Sequence, residues 1–184
     1  DAIFADFNGD GLADYISAYY RSGTGGEVEV RLLEPSGEAV SSNRYYKFSS
    51  QSTKYPLDVP GVNGLGLVSR VPDTLGDFNG DGAMDLLVAT PAGYRVAIFD
   101  QPMGEFRSMG FLSTEKTSKN PIAIDINSDG LTDIAYTGNY GGMHVQLSTG
   151  TGFVDLGTMG GSKGTFVDLN KDGYQDFVWT ESYG

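Results

Sequence analysis

The sequence predicts an all-β fold built by repetition, and three observations carry that prediction. A nine-residue pattern, D-x-N-x-D-G-x-x-D, occurs four times, at Asp6–Asp14, Asp77–Asp85, Asp125–Asp133 and Asp168–Asp176. Each copy runs into a short apolar stretch rich in strand formers, such as Leu86-Leu87-Val88-Ala89 or Phe177-Val178-Trp179, too short for a helix. Glycine at 27 of 184 residues and aromatics at 12% suit many short strands joined by tight turns.

Taken in order, Asp1 to Phe7 reads as a strand entering the first loop and Tyr15 to Tyr20 as the strand leaving it. Arg21 to Gly26 is turn chemistry. The next run alternates strictly, with Val28, Val30 and Leu32 on one face and Glu27, Glu29 and Arg31 on the other, a half-buried strand. The second repeat follows the same plan: Leu86 to Thr90, a turn at Pro91 to Gly93, Tyr94 to Phe99, then a strand starting at Gly104 to Phe106. The third offers Ile134 to Thr137, a turn at Gly138 to Gly142, Met143 to Leu147, and a start at Gly152-Phe153. Four antiparallel strands per repeat are the blade of a β-propeller.

The loop starts are 71, 48 and 43 residues apart, and blades of about 40–50 residues fit propeller periods. The expected organisation is one repeat domain over 1–184: blade 1 at 1–72 with an insertion at 41–70, blade 2 at 73–118, blade 3 at 119–162, and a partial blade 4 at 163–184. That is about three and a half four-stranded blades. The insertion holds Arg44, Lys47, Lys54 and Arg70 against one acid, Asp58, with Tyr45, Tyr46 and Tyr55. It reads equally as a recognition loop and as a packing flap. The unfinished blade implies an open sheet edge, to be closed by a longer chain or a partner strand.

The loops carry the chemistry. Hard cations take six to eight oxygens, supplied by carboxylates, amides and a backbone carbonyl. The pattern places such side chains at loop positions 1, 3, 5 and 9: Asp6, Asn8, Asp10 and Asp14; Asp77, Asn79, Asp81 and Asp85; Asp125, Asn127, Asp129 and Asp133; Asp168, Asn170, Asp172 and Asp176. Glycine at position 6 permits the sharp turn that directs the position-7 carbonyl of Leu12, Ala83, Leu131 or Tyr174 inward. Three aspartates so close repel one another without a cation, so Ca²⁺ is expected, up to four ions, one per loop. An EF-hand would end on Glu at position 12, whereas these loops have Ser17, Val88, Tyr136 and Trp179 there. Position 2 (Phe7, Phe78, Ile126, Leu169) is expected to plug the core.

Loops of this form, each leading into a strand, resemble the FG-GAP or VCBS repeats of β-propellers, and the resemblance covers essentially the whole chain. Such repeats occur in integrin α-subunit heads, in bacterial surface and secreted proteins, and in Tc and RHS-type toxins. The resemblance implies an extracellular or secreted calcium-binding module for adhesion, or a scaffold for a carbohydrate or protein ligand. The alternatives are a part of a lyase-like polysaccharide-active enzyme and a shell piece of a Tc/RHS-type toxin.

Twelve of the 17 aspartates lie in the loops, and four Ca²⁺ would reduce the formal charge from −12 to −4. The acidity thus belongs to the loops and argues against a nucleic-acid partner. No apolar run reaches membrane-spanning length, so no membrane insertion is expected. With no cysteine and a single histidine, a nucleophile–base pair is poorly supplied and no catalysis is expected. His144 alternates with Gln146 on what reads as a solvated polar face, and Tyr94, Tyr136 and Trp179 as packing aromatics.

Overall fold

The computed structural model describes residues 2–21, 25–40, 43–48, 53–58, 75–90, 93–100, 103, 105–111, 119–138, 141–161 and 163–180. Each loop separates two short antiparallel strands, and further strands add outward. In blade 1, β1 (Ala2–Ala5), β2 (Asp14–Arg21), β3 (Gly25–Arg31) and β6 (Thr53–Asp58) lie side by side in that order. Blade 2 is β7 (Leu75–Gly76), β8 (Asp85–Thr90), β9 (Gly93–Asp100) and β10 (Glu105–Phe111). Blade 3 is β11 (Lys119–Ile124), β12 (Asp133–Thr137), β13 (Met143–Ser148) and β14 (Phe153–Met159). The fourth repeat is the hairpin of β15 (Gly164–Val167) and β16 (Asp176–Trp179). Among the described residues there is no helix; the chain is an all-β, partial β-propeller.

Two features differ from the simplest repeat. The outer strands β6 and β10 meet in parallel through Leu57–Phe106 and Asp58–Arg107, so blades 1 and 2 share one eight-stranded sheet. Of the expected insertion, 59–70 lie outside the described residues, as do 41–42 and 49–52. The rest is not simply a loop: Asn43–Phe48 is β5, paired with β4 (Leu33–Val40) in a separate hairpin, and Thr53–Asp58 supplies the fourth strand of blade 1. Among the described residues, the β4–β5 hairpin, Leu33 to Phe48, lies between the third and fourth strands of blade 1 and supplies part of the extra length.

The register of every loop is the same. The residue before position 1 always faces position 9 across the first two strands: Ala5–Asp14, Gly76–Asp85, Ile124–Asp133 and Val167–Asp176. Side chains of successive positions then point to opposite faces, and this fixes which blade each one meets. Phe7 at position 2 and Ile16 at position 11 face forward, into a cluster with Leu75 and Leu86 of blade 2. Phe78 and Leu87 do the same toward Ile134 and Tyr136 of blade 3. Ile126 and Ala135 meet Phe166 and Phe177 of the fourth repeat. Position 10 (Leu86, Ile134, Phe177) and the residue two before the loop (Leu75, Ala123, Phe166) face backward, onto the preceding blade. Burying one large apolar side chain contributes roughly 1.5–3 kcal/mol, so the fully buried Phe78, Leu86 and Leu87 make blade 2 the centre of stability.

The core plugs expected at position 2 are present in three repeats. Phe7, Phe78 and Ile126 are buried, whereas Leu169 is 66% exposed. Leu169 differs because, among the described residues, no blade follows its own. Glu29 and Gln146, expected on polar faces, are both buried. Arg31 covers Glu29 through an ion pair at 3.2 Å, and Gln146 Nε2 reaches the Tyr136 hydroxyl at 3.5 Å. His144 is half-buried: its ring stacks on Tyr136 with centroids 5.4 Å apart, and one ring nitrogen meets Thr158 Oγ1 at 3.0 Å. Among the described residues no helix is long and apolar enough to cross a membrane.

Candidate metal centre

All four loops close on themselves through one hydrogen-bond pattern. The position-1 carboxylate accepts the amides of positions 5 and 6: Asp6 from Asp10 and Gly11 at 3.0 and 2.7 Å, Asp168 from Asp172 and Gly173 at 3.1 and 3.0 Å. Asp77 and Asp125 repeat this, and Asp77 also accepts the Gly80 amide. The Asn at position 3 accepts the position-5 amide and donates through Nδ2 to the position-5 carboxylate, at 2.7 Å in Asn170–Asp172. Asn8, Asn79 and Asn127 do likewise with Asp10, Asp81 and Asp129. The position-5 carboxylate in turn accepts the position-7 amide of Leu12, Ala83, Leu131 or Tyr174. Such local side-chain–backbone bonds are what Asp and Asn offer a turn.

Position 4 was not legible as constrained. It is left-handed in every loop: Gly9 and Gly80 at φ 75° and 77°, but also Ser128 at 57° and Lys171 at 64°. Only glycine takes that conformation without steric cost. The same position touches the next loop. A side chain on Gly9 would lie 3.2 Å from the Gly82 carbonyl, and Ser128 Oγ donates to the Gly173 carbonyl. The amide of Thr132 donates to Asp77 O and that of Gln175 to Ile126 O, both at 2.8 Å. The second, third and fourth loops are thus bonded in a row, and the first lies close against the second at Gly9 and Gly82.

Position 9 is set apart from positions 1, 3 and 5. Asp14, Asp85 and Asp133 are completely buried. One oxygen of each accepts the position-2 amide (Phe7, Phe78, Ile126), and the other accepts an amide beyond the second strand, of Leu33, Phe99 or Ser148. Burial raises all three pKa values, that of Asp85 to about 7, against the lowering effect of the two amides. The charges at positions 1 and 5 raise them further. At the surface, Asp172 is held below its ordinary value by the Tyr174 amide and then by Asn170. Asp176 keeps only the Leu169 amide, at 3.0 Å; among the described residues its other oxygen has no partner, because no third strand follows β16.

The donor set suits a hard cation: two carboxylates, one amide oxygen and a backbone carbonyl per loop. Among the described residues, no three Asp, Glu or His side chains form a group able to hold a metal by themselves. A cation at these loops must therefore also draw on the Asn and carbonyl oxygens. Each position-9 oxygen that accepts an amide keeps one lone pair for anything else.

Beside the second loop lies a cleft of about 400 Å³ bordered by Asn79, Asp81, Phe99, Asp100 and Arg107. Arg107 Nη1 pairs with Asp100 Oδ2 at 3.3 Å on its rim. Nothing in the sequence singled out these two residues, which come together only through the β9–β10 pairing.

The comparison with curated proteins returned no match, and the comparison with solved structures returned none either. A family model for the FG-GAP-like repeat matches residues 77–136 and again 125–179, together more than half of the chain. Each match spans two successive loops with the blade between them, the unit that the packing repeats. The chain belongs to the FG-GAP-like repeat family.

Proposed function

We propose that this chain is a calcium-stabilised, non-catalytic module that presents a rigid surface to a carbohydrate or protein ligand outside the cell. The observation that carries the reading is the row of four loops with one conformation and one set of oxygen donors, Asp, Asn and Asp at positions 1, 3 and 5. Burial is the main cause that holds position 9 upward in the first three repeats, and the carboxylates at positions 1 and 5 add a smaller repulsion that a cation would relieve. The side chains at positions 1, 3 and 5 and the position-7 carbonyl would hold Ca²⁺, with position 9 bracing the loop from the core. Bound there, Ca²⁺ supplies charge neutralisation and cross-links the loop.

Exposed loops of this kind bind Ca²⁺ with a Kd on the order of 10⁻⁴–10⁻³ M. At about 1–2 mM free Ca²⁺, the extracellular level, such sites would be half-filled or more, in keeping with the extracellular or secreted setting of the proposal. Each ion would then contribute roughly 0.5–2 kcal/mol. The cleft beside the second loop, with the Arg107–Asp100 pair on its rim, offers polar groups to sugar hydroxyls or to a protein side chain. Calorimetry in chelator and in 2 mM Ca²⁺ (about the extracellular level) tests the calcium reading, which requires a clear rise in melting temperature. Glycan-array binding lost in Arg107→Ala would locate the ligand in the cleft; unchanged binding would remove the cleft from the proposal.

A further inference from the structure

The cleft beside the second loop departs from the repeat around it. Phe99 and Ser148 hold equivalent places, each donating its amide to the position-9 aspartate of its loop. Phe106 and Phe153 face them across the last two strands of each blade. Yet Phe106 follows Phe99 by seven residues and Phe153 follows Ser148 by five, so the blade-2 turn is two residues longer. Arg107 stands where blade 3 has Val154. Asp100 stands where blade 3 has Thr149, whose amide and hydroxyl both donate to the Gly152 carbonyl. Asp100 is held from two sides: Oδ1 accepts the Met103 amide at 3.1 Å, and Oδ2 meets Arg107 Nη1 at 3.3 Å. An ion pair partly open to water contributes about 0–1 kcal/mol, so stability alone does not account for the longer turn and its pair.

We infer that this cleft binds a carboxylated sugar, a uronic-acid residue of an acidic polysaccharide, whose carboxylate is shared by the Arg107 guanidinium and a Ca²⁺ held by the second loop. The inference rests on the calcium reading above and gives the ligand a chemical class. Asn79 and Asp81 are donors of the loop that also border the cleft, together with Ile98, Phe99 and Ser108. Positions 1, 3, 5 and 7 supply four donor groups toward the six to eight oxygens that Ca²⁺ takes, which leaves room for a ligand oxygen. Without the ion, Asp77, Asp81 and Asp100 outnumber Arg107 and repel an anion. A divalent cation cancels that excess, and the guanidinium fork then takes a carboxylate in charge-assisted hydrogen bonds. A cleft of about 400 Å³ lies at the small end of ligand pockets, room for roughly one or two sugar rings. The buried Phe99 and half-buried Ile98 give it an apolar lining for the C–H face of a ring. Small volume and apolar lining favour a sugar over an acidic peptide.

The test is isothermal titration calorimetry of the whole chain with a short oligoglucuronate, in about 2 mM Ca²⁺ and in chelator. The methyl-esterified oligoglucuronate and a glutamate oligomer are the comparison probes. Oligoglucuronate should bind in Ca²⁺ and weaken at least about tenfold in chelator, on esterification, or in Arg107→Ala, the loss of one charge-assisted contact. Arg107→Lys should recover only part of the binding, since it keeps the charge without the fork. Titration of Arg107→Ala with Ca²⁺ should give the wild-type number of ions, which separates this inference from the calcium reading. Full Ca²⁺ binding with no oligoglucuronate binding would overturn the inference and leave the calcium reading standing; a chain that takes no Ca²⁺ would overturn both. Binding that survives chelator or Arg107→Ala, or that prefers the glutamate oligomer, would overturn the inference as well.

Discussion

Asp85 and Phe99, fourteen residues apart, are joined by a buried hydrogen bond of 2.9 Å from the Phe99 amide to the Asp85 carboxylate. The other oxygen holds the Phe78 amide at 3.0 Å. One side chain at the start of the second strand therefore ties together loop position 2 and the third strand of the blade. Leaving buried amides without acceptors costs about 1–3 kcal/mol each. Asp85→Ala should accordingly lose about 2–4 kcal/mol of stability in chelator. Asp176→Ala removes the same motif position where only one amide is bound and the site is open, and should lose less than about 1 kcal/mol. Denaturant unfolding of both variants checks this; equal losses would show that the third-strand bond contributes nothing.

The buried position-9 carboxylates also set a pH dependence. Burial raises Asp85 from 3.8 to about 7, and Asp14 and Asp133 move the same way. A carboxyl raised on folding takes up a proton when the chain folds. Its stabilisation is complete below the unfolded value and is lost as pH rises through the folded one. In chelator, the melting temperature should fall between about pH 4 and pH 7. In Asp85→Asn that slope should flatten. A melting temperature that climbs over this range in chelator would contradict the assignment.

Position 4 gives a stabilising substitution. Lys171 holds a left-handed backbone at φ 64°, a conformation that costs a side-chain-bearing residue roughly 1–2 kcal/mol. Lys171→Gly should stabilise the fourth loop by about 0.5–1 kcal/mol, the strain relief being partly offset by the freer unfolded chain. The reverse change, Gly80→Ala, adds the same strain and brings a methyl within 2.8 Å of Leu131, so it should destabilise. Thermal melts of the pair read opposite signs, and a stabilising Gly80→Ala would refute the geometry.

The loops and the strands around them were legible because their chemistry is written in side chains at fixed spacing. Blade order followed from the intervals between loops. What escaped was set by neighbours distant in sequence. Thr53–Asp58 contains Pro56 and no alternation, so its role as the fourth strand emerges only when β3 pairs with it. Glu29 and Gln146 alternate as surface residues should, yet a blade is packed on both faces and neither is exposed. Phe78 and Leu169 occupy the same loop position, but among the described residues a blade packs over Phe78 and none over Leu169. The division of the aspartates, with position 9 buried in the first three repeats and positions 1 and 5 at least partly exposed, has no sequence signal at all.

In the function we propose, each loop is a separate Ca²⁺ site held by positions 1, 3 and 5 with the position-7 carbonyl. Titration of the chain with Ca²⁺ against a competing chelator measures the number of sites directly. The expected result is up to four sites, one fewer in Asp172→Ala, and no loss in Lys171→Ala. A chain that binds no Ca²⁺ at millimolar concentration, or the same stoichiometry in wild type and Asp172→Ala, would contradict it.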